Sequence, residues 1–293
     1  MLREAMTTDH ESLETRVSRI LGDTVVRART LAGGKICEVV RIEFRHHPPV
    51  VAKHATPSGD LSLEANMLRH LRDVSDLPVP EVLHYADDLL VLEAVRGEHI
   101  GPEAARHCAE LIAALHGITN ASFGFGGLTL NGRVMLESPW SDSWIPFFRE
   151  HRLRFAMRRA VEHEQLPEQY HDDLHRIFDG LGDLLVEPSQ PALLHGDLWN
   201  ANVLAEGGRV TAFLDPSACY GDPELDIAYV DAFGAFGPEF LQRYQELRPL
   251  PMEFWLLRRH VYALYPLLMH VYYFGARFLP HLERTITTVR RQM

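Results

Sequence analysis

Two carboxylates and an amide stand out in this 293-residue chain: Asp197, Asn202 and Asp215, in the order D-x-x-x-x-N and then D thirteen residues later. They fall within LLHGDLWNANVLAEGGRVTAFLDP, residues 193–216. Phosphoryl transfer needs a carboxylate that orients the attacking hydroxyl and takes its proton. It also needs an amide and a carboxylate to hold a divalent ion on the β- and γ-phosphates. Magnesium favours such hard oxygen ligands together with phosphate and water. The pattern therefore predicts Asp197 as catalytic base, Asn202 and Asp215 as Mg2+ ligands, and ATP as phosphate donor. Read as two strands joined by Glu206-Gly207-Gly208-Arg209, the segment forms a hairpin whose glycines suit a two-residue turn. Centring the turn there pairs Asn202 with Phe213 and Asn200 with Asp215. Asn202 and Asp215 then become diagonal neighbours on one face, roughly 7–8 Å apart. His195 is expected to hold the loop by hydrogen bonds rather than to act as a base.

A second group lies nearer the N-terminus. Lys53 ends an apolar strand, and Glu64 follows eleven residues later on a helix. Glu64, Met67, Leu68 and Leu71 have the spacing of one helix face, so the glutamate lies on the apolar stripe. A carboxylate there is costly unless paired. Lys53 is the nearby cation, and the pair would orient the α- and β-phosphates. Gly33-Gly34, in a turn between strands, would let the backbone approach phosphates. Backbone groups of Glu93, Ala94 and Val95 would meet adenine in a cleft between two lobes, where ligand sites concentrate.

The elements that must position these residues divide the chain in two. Residues 24–30, 36–44, a strand ending near Lys53, and EVLHYADDLLVLEAV read as strands, with one helix from Leu61 to Arg72. Residues 102–116, 142–187 and the chain after Pro238 read as helical. The expected architecture is α+β and bilobal. It has a β-rich lobe over residues 1–92, a connector over 93–97, and a mainly helical lobe over 98–293 carrying the hairpin. The net charge of −11 argues against nucleic acid or an anionic membrane as partner. Three cysteines, Cys37, Cys108 and Cys219, do not make a disulfide framework. The N-terminal MLREAMTTDHESLE lacks the apolar core of a signal peptide. Both features predict a cytoplasmic location.

With these residues in hand, the chain resembles the fructosamine/ketosamine-3-kinase family, which is related to the aminoglycoside and choline phosphotransferases and shares the protein-kinase-like fold. HGDLWNANVL is similar to that family's HGDLWxxN loop, including Trp199. Residues 214–236, LDPSACYGDPELDIAYVDAFGAF, resemble its IDPAxYYGxxExDLAxxxxFGGF. PWSDSWIPFFREHRL, residues 139–153, resembles NxWxxDWxxFFxexRL, with Pro139-Trp140 where the family carries Asn before the Trp. LLMHVYYFGARFL matches its final helix. The resemblance implies ATP-dependent phosphorylation of the third-carbon hydroxyl of a ketosamine, which makes the glycation adduct labile. It further implies that Trp199 lines the sugar site, and that the substrate is a small ketosamine or a glycated lysine. The turn reads AGGKICE, which puts Cys37 two residues beyond the cysteine of some relatives; a small strand residue is the expected role. The alternative is a phosphotransferase for an aminoglycoside or choline, in which Asp222, Glu224 and Asp226 would supply an acidic pocket. A third reading is a nucleotide-binding protein without turnover.

Overall fold

The computed structural model describes residues 11–31, 37–55, 60–98 and 100–293. Gly33 and Gly34 lie outside the described residues. The first part is a five-stranded antiparallel sheet in the order β1-β2-β3-β5-β4. Its strands are β1 (Val25–Thr30), β2 (Glu38–Phe44), β3 (Val50–His54), β4 (Val82–Ala86) and β5 (Leu89–Glu93). Two helices sandwich it, α1 (Leu13–Leu21) and α2 (Leu61–Val74). A single helix, α2, is expected here from the sequence. The other, α1, is short, but Ser12 caps it by accepting the Thr15 N–H, and its Val17 is fully buried.

The interior strand β5 explains the layering. Leu89 and Val91 point to one face and pack with Val17, Ile42 and Val50. Leu90 and Leu92 point to the other and pack with Leu61, Ala65 and Leu68 of α2. A strand covered on both faces reads as a continuous apolar run, which is why LLVL shows no alternation. On α2, Glu64 is buried among Ala65, Met67, Leu68 and Leu71.

The second part is mainly helical. In chain order it holds α3 (Pro102–Leu115), hairpin β6–β7 (Gly127–Asn131, Val134–Ser138), α4 (Trp144–Phe148), α5 (Phe155–Glu162), α6 (His171–Asp179) and α7 (Leu181–Leu184). Then come β8 (Ala192–Leu194), hairpin β9–β10 (Val203–Glu206, Arg209–Phe213), β11 (Cys219–Gly221), α8 (Glu224–Phe233), α9 (Gly237–Leu247), α10 (Arg259–Phe274) and α11 (Leu279–Arg290). A π-helical turn, Arg149–Arg154, joins α4 to α5. Every residue of α10 from Val261 to Tyr272 is buried. A helix apolar on all sides belongs at the centre of a core, and α8, α5 and α11 pack around it. Strand β8 pairs with β11, which ties the two ends of the Asp197–Asp215 segment together beneath the β9–β10 hairpin.

His270, on α10, is buried with Phe233 stacked at 4.3 Å and Phe278 edge-on at 4.8 Å between ring centroids. Burial lowers its pKa to about 4, against a hydrogen bond to the Pro266 carbonyl. That lies below the roughly 6.5 of an exposed histidine, so the unfolded chain takes the proton first as pH falls. Stability is expected to drop between about pH 6.5 and 4, by roughly 3 kcal/mol over the whole window from this group. Urea unfolding of wild type and His270→Phe at pH 7 and pH 5 checks this. The variant should lose less stability on acidification, and an equal loss in both would sink the assignment.

Candidate active site

The loop after β8 is held from below by one carboxylate. Asp226, on α8 and with no exposure, accepts the N–H groups of His195 at 2.8 Å and Gly196 at 2.9 Å. Its Oδ2 also meets His116 Nε2 at 3.2 Å, and His116 Nδ1 lies 2.7 Å from the Tyr244 hydroxyl. One arrangement satisfies all three groups: the Tyr244 hydroxyl donates to Nδ1, and Nε2–H donates to Asp226. Burial by itself would raise the Asp226 carboxyl, but the hydrogen bonds from His116 and from the His195 N–H hold it below the ordinary carboxylate value. Gly196 has φ of 79°, and a Cβ there would fall 2.1 Å from the Ser217 carbonyl oxygen. The loop can bend past Ser217 only as glycine.

That bend delivers Asp197. Its Oδ1 accepts the Tyr229 hydroxyl at 2.6 Å, and its Oδ2 accepts the Asn202 amide at 2.8 Å. Burial raises the carboxyl to about 7, against these two hydrogen bonds, with the charges of Asp215 and Asp226 adding to the rise. The Asn202 amide also donates to the Asp197 carbonyl at 2.9 Å, which leaves Oδ1 as its remaining ligand atom. His195 is fully buried and neutral, its pKa lowered by desolvation, and its Nδ1 accepts the Asp197 N–H at 3.3 Å.

The hairpin register differs from the one expected. Arg209 pairs with Glu206 and Val210 with Ala205, as the glycine turn requires, but the ladder then shifts, and Phe213 pairs with Val203. The cause is a bulge at Thr211. Its hydroxyl donates to the Arg96 carbonyl at 2.7 Å, while Glu98 and Ala205 exchange backbone bonds at 2.8 and 3.1 Å. The connector between the two parts is thus docked on the hairpin. Gly97 permits the approach, since a Cβ there would lie 2.8 Å from both Leu204 Cβ and Thr211 Oγ1. Asn202 consequently sits in a short 3-10 turn, Asn200–Asn202, outside the ladder.

Across the cleft, Lys53 Nζ lies 2.7 Å from Glu64 Oε1 and also contacts Asp215 Oδ1. Burial disfavours the ammonium, yet Asp215 and Glu64 outweigh it and hold Lys53 well above an ordinary lysine. Burial also raises Glu64 against the pull of Lys53. Asp215 adopts φ of 50°, a left-handed conformation that costs a non-glycine residue about 1 kcal/mol or more and clusters at functional sites.

Lys53, Glu64, Asp197, Trp199, Asn202 and Asp215 all line one cavity of about 730 Å3 between the sheet and the helical part. Glu93 and Val95 line it too. In the connector, the Glu93 N–H is bound to the Glu81 carbonyl and the Ala94 N–H to Pro49. Among the described residues the Val95 N–H has no protein partner. Cys37 also lines the cavity, but burial raises its thiol pKa, opposite to the shift of a reactive thiolate. No three acidic, His or Cys side chains among the described residues form a metal cage. One amide oxygen and one carboxylate beside a phosphate-sized space nevertheless suit magnesium, which takes most of its ligands from phosphate and water.

The acidic pocket expected from Asp222, Glu224 and Asp226 does not form. Asp222 accepts the Tyr262 hydroxyl at 2.6 Å and the Glu224 N–H at 2.9 Å. Glu224 is held by Arg258 at 2.5 and 2.7 Å, and Asp226 by the loop. None of the three lines the cavity. The sequence alone assigns no role to Tyr229 or His116; Tyr229 lies three residues after Asp226 on α8, and that one-turn spacing is the available signal.

Asp226→Ala leaves two loop N–H groups and His116 buried without an acceptor. Breaking such a site costs about 3–5 kcal/mol. Denaturant unfolding should show that loss, and a change within 1 kcal/mol would refute the loop-anchoring role.

Known proteins resemble this chain along most of its length. A family model described as fructosamine kinase matches residues 10–292. A probable ketoamine kinase of Enterococcus faecium is 30% identical over 273 residues, 89% of this chain and 95% of that protein. A probable ketoamine kinase of Vibrio parahaemolyticus is 31% identical over 238 residues, 78% and 79% of the respective chains. The crystal structure of a "putative fructosamine-3-kinase" from Thermobifida fusca superposes with a TM-score of 0.84 at 29% identity, covering 96% of this chain and 99% of that one. An aminoglycoside phosphotransferase solved with AMP-PNP and hygromycin B gives a TM-score of 0.67 at 16% identity over 96% and 97% of the chains. That likeness bears on the fold alone, which is protein-kinase-like. The match over nearly the whole chain shows that this protein belongs to the fructosamine kinase family and is a phosphotransferase.

Proposed function

We propose that the chain transfers the γ-phosphoryl group of ATP to the C3 hydroxyl of a ketosamine, making the glycation adduct labile and so promoting deglycation. The observation that carries this reading is the Asp197 carboxylate. It lines the cavity, is clamped by Tyr229 and Asn202, and has a pKa of about 7 through burial. A base near neutrality accepts a hydroxyl proton efficiently without staying protonated. As the acceptor oxygen forms its bond to the γ-phosphorus, Asp197 takes the proton and ADP leaves.

The other residues position the reactants. Lys53, fixed by Glu64, is the cation for the α- and β-phosphates. Asn202 and Asp215 would hold magnesium, which supplies charge neutralisation on the phosphates. The Val95 N–H, in the connector of Glu93, Ala94 and Val95 and without a protein partner among the described residues, would be the donor for adenine, and Gly33-Gly34 would cover the phosphates. Trp199 offers a flat apolar face to the sugar. The acceptor is a small ketosamine or a glycated lysine, and no nucleic acid is involved, in keeping with the charge of −11. Three free cysteines support a reducing cytoplasm as its location, and no helix of the described residues is long and apolar enough to cross a membrane. With Asp222, Glu224 and Asp226 spent inside the fold, no observation favours an aminoglycoside acceptor.

A coupled assay of ADP release with Mg-ATP, run on ribulose-lysine, fructose-lysine, kanamycin and choline, tests the reading. Turnover is expected on a ketosamine, and Asp197→Ala should reduce it by at least about 10²-fold. Activity confined to kanamycin or choline would overturn the substrate class, and near-normal turnover by the variant would overturn the base.

A further inference from the structure

The tip of the β6–β7 hairpin enters the cavity: Leu130, Gly132 and Arg133 line it together with Asp197 and Trp199. Asn131 pairs with Val134, so Gly132-Arg133 is a two-residue turn, and Gly132 has the positive φ, 58°, that such a turn needs. The tip is pinned rather than loose. The Tyr273 hydroxyl donates to the Asn131 carbonyl at 2.5 Å and accepts the Arg133 N–H at 3.3 Å. Tyr273 lies on α10, the helix whose His270 ring stands edge-on to Trp199 at 6.1 Å. One rigid helix therefore supports both Trp199 and the hairpin tip.

The Arg133 guanidinium sits 5.9 Å from the rings of Tyr272 and Tyr273, close enough for cation–π attraction to each. Among the described residues no carboxylate pairs with it. Lys53 is engaged by Glu64 and Asp215, and Arg27, Arg29 and Arg41 reach the cavity from the sheet. Among the described residues Arg133 is the one cation that lines it from the helical part. The other charged side chains on that wall are Asp197 and Asp215. A held, unpaired guanidinium in the same cavity as Trp199 adds attraction for an anion there.

We propose that Arg133 recognises a carboxylate on the acceptor, so that the preferred substrates are ketosamines formed on free amino acids rather than on simple amines. This rests on the ketosamine kinase reading above and adds to it the charge of the amine half. The same guanidinium chemistry could instead bind a phosphate of the nucleotide, and the test separates the two sources.

The test is steady-state kinetics on N-ribulosylglycine and N-ribulosylglycinamide, which differ by a carboxylate against a neutral carboxamide. One charge-assisted hydrogen bond at a solvent-accessible site predicts a kcat/KM about tenfold higher for the acid. Arg133→Met keeps the apolar stem and should bring that ratio to about 1, while Arg133→Lys should restore part of it. Equal kcat/KM for the two adducts in the wild type would overturn the carboxylate assignment and leave the ketosamine reading standing. A rise confined to the KM for ATP in Arg133→Met would assign the residue to the nucleotide phosphates and also overturn it. Absence of turnover on both adducts would overturn the ketosamine reading and this inference with it.

Discussion

A carboxylate with no solvent exposure, Asp226, fixes the conformation on which the rest of the site depends. Burying a charge is costly unless hydrogen bonds replace water. Here the donors are two consecutive N–H groups of the loop and the imidazole of His116. Because the carboxylate needs those donors as much as they need it, the loop cannot relax without stranding a charge. The bend at Gly196 then places Asp197 against the Tyr229 hydroxyl, one helical turn further along α8. One helix thus both anchors the loop and orients the side chain that the loop carries.

The second constraint crosses the cleft. Lys53 on the sheet meets Glu64 on α2 and Asp215 from the helical part. Glu64 occupies an apolar helix face, a position that only its cation partner makes tolerable. Asp215 keeps an unfavourable backbone conformation at the start of the segment returning to β11. A buried charge on one side and a strained residue on the other meet at the same ammonium group. The two parts of the fold are therefore joined electrostatically at the site itself, and mechanically where the connector docks on the bulged hairpin.

Much of this was legible in the sequence. The Glu64 stripe showed that a cation had to be near, and the Lys53 strand supplied one. The strand order of chemistry-bearing residues, HGD, then Asn, then LDP, was readable because it occupies a short segment with a glycine turn. What was not legible depends on non-local contacts. The bulge at Thr211 exists because the connector, more than a hundred residues earlier, takes the Thr211 hydroxyl and the edge of β9; local turn rules give only the register next to the glycines. Helix α1 is short, and its apolar spacing is brief among charged residues. The β6–β7 hairpin carries a local signal, an Asn-Gly pair between alternating residues, although the turn itself falls one residue later, on Gly132-Arg133.

The acidic residues of the helical part sort by the donors they meet. Asp222, Glu224 and Asp226 are close in sequence to the loop motif and look equally available to a ligand. Each instead ends on a donor inside the fold: Tyr262, Arg258, or the loop backbone with His116. Asp197 and Asp215 also have partners, but those partners, Tyr229, Asn202 and Lys53, leave both carboxylates lining the cavity. Sequence spacing gives the number of carboxylates near a site. The supply of buried donors decides which of them remain for chemistry, and those donors come from Tyr262 on α10, Arg258 just before it, His116 after α3 and the N–H groups of the loop itself.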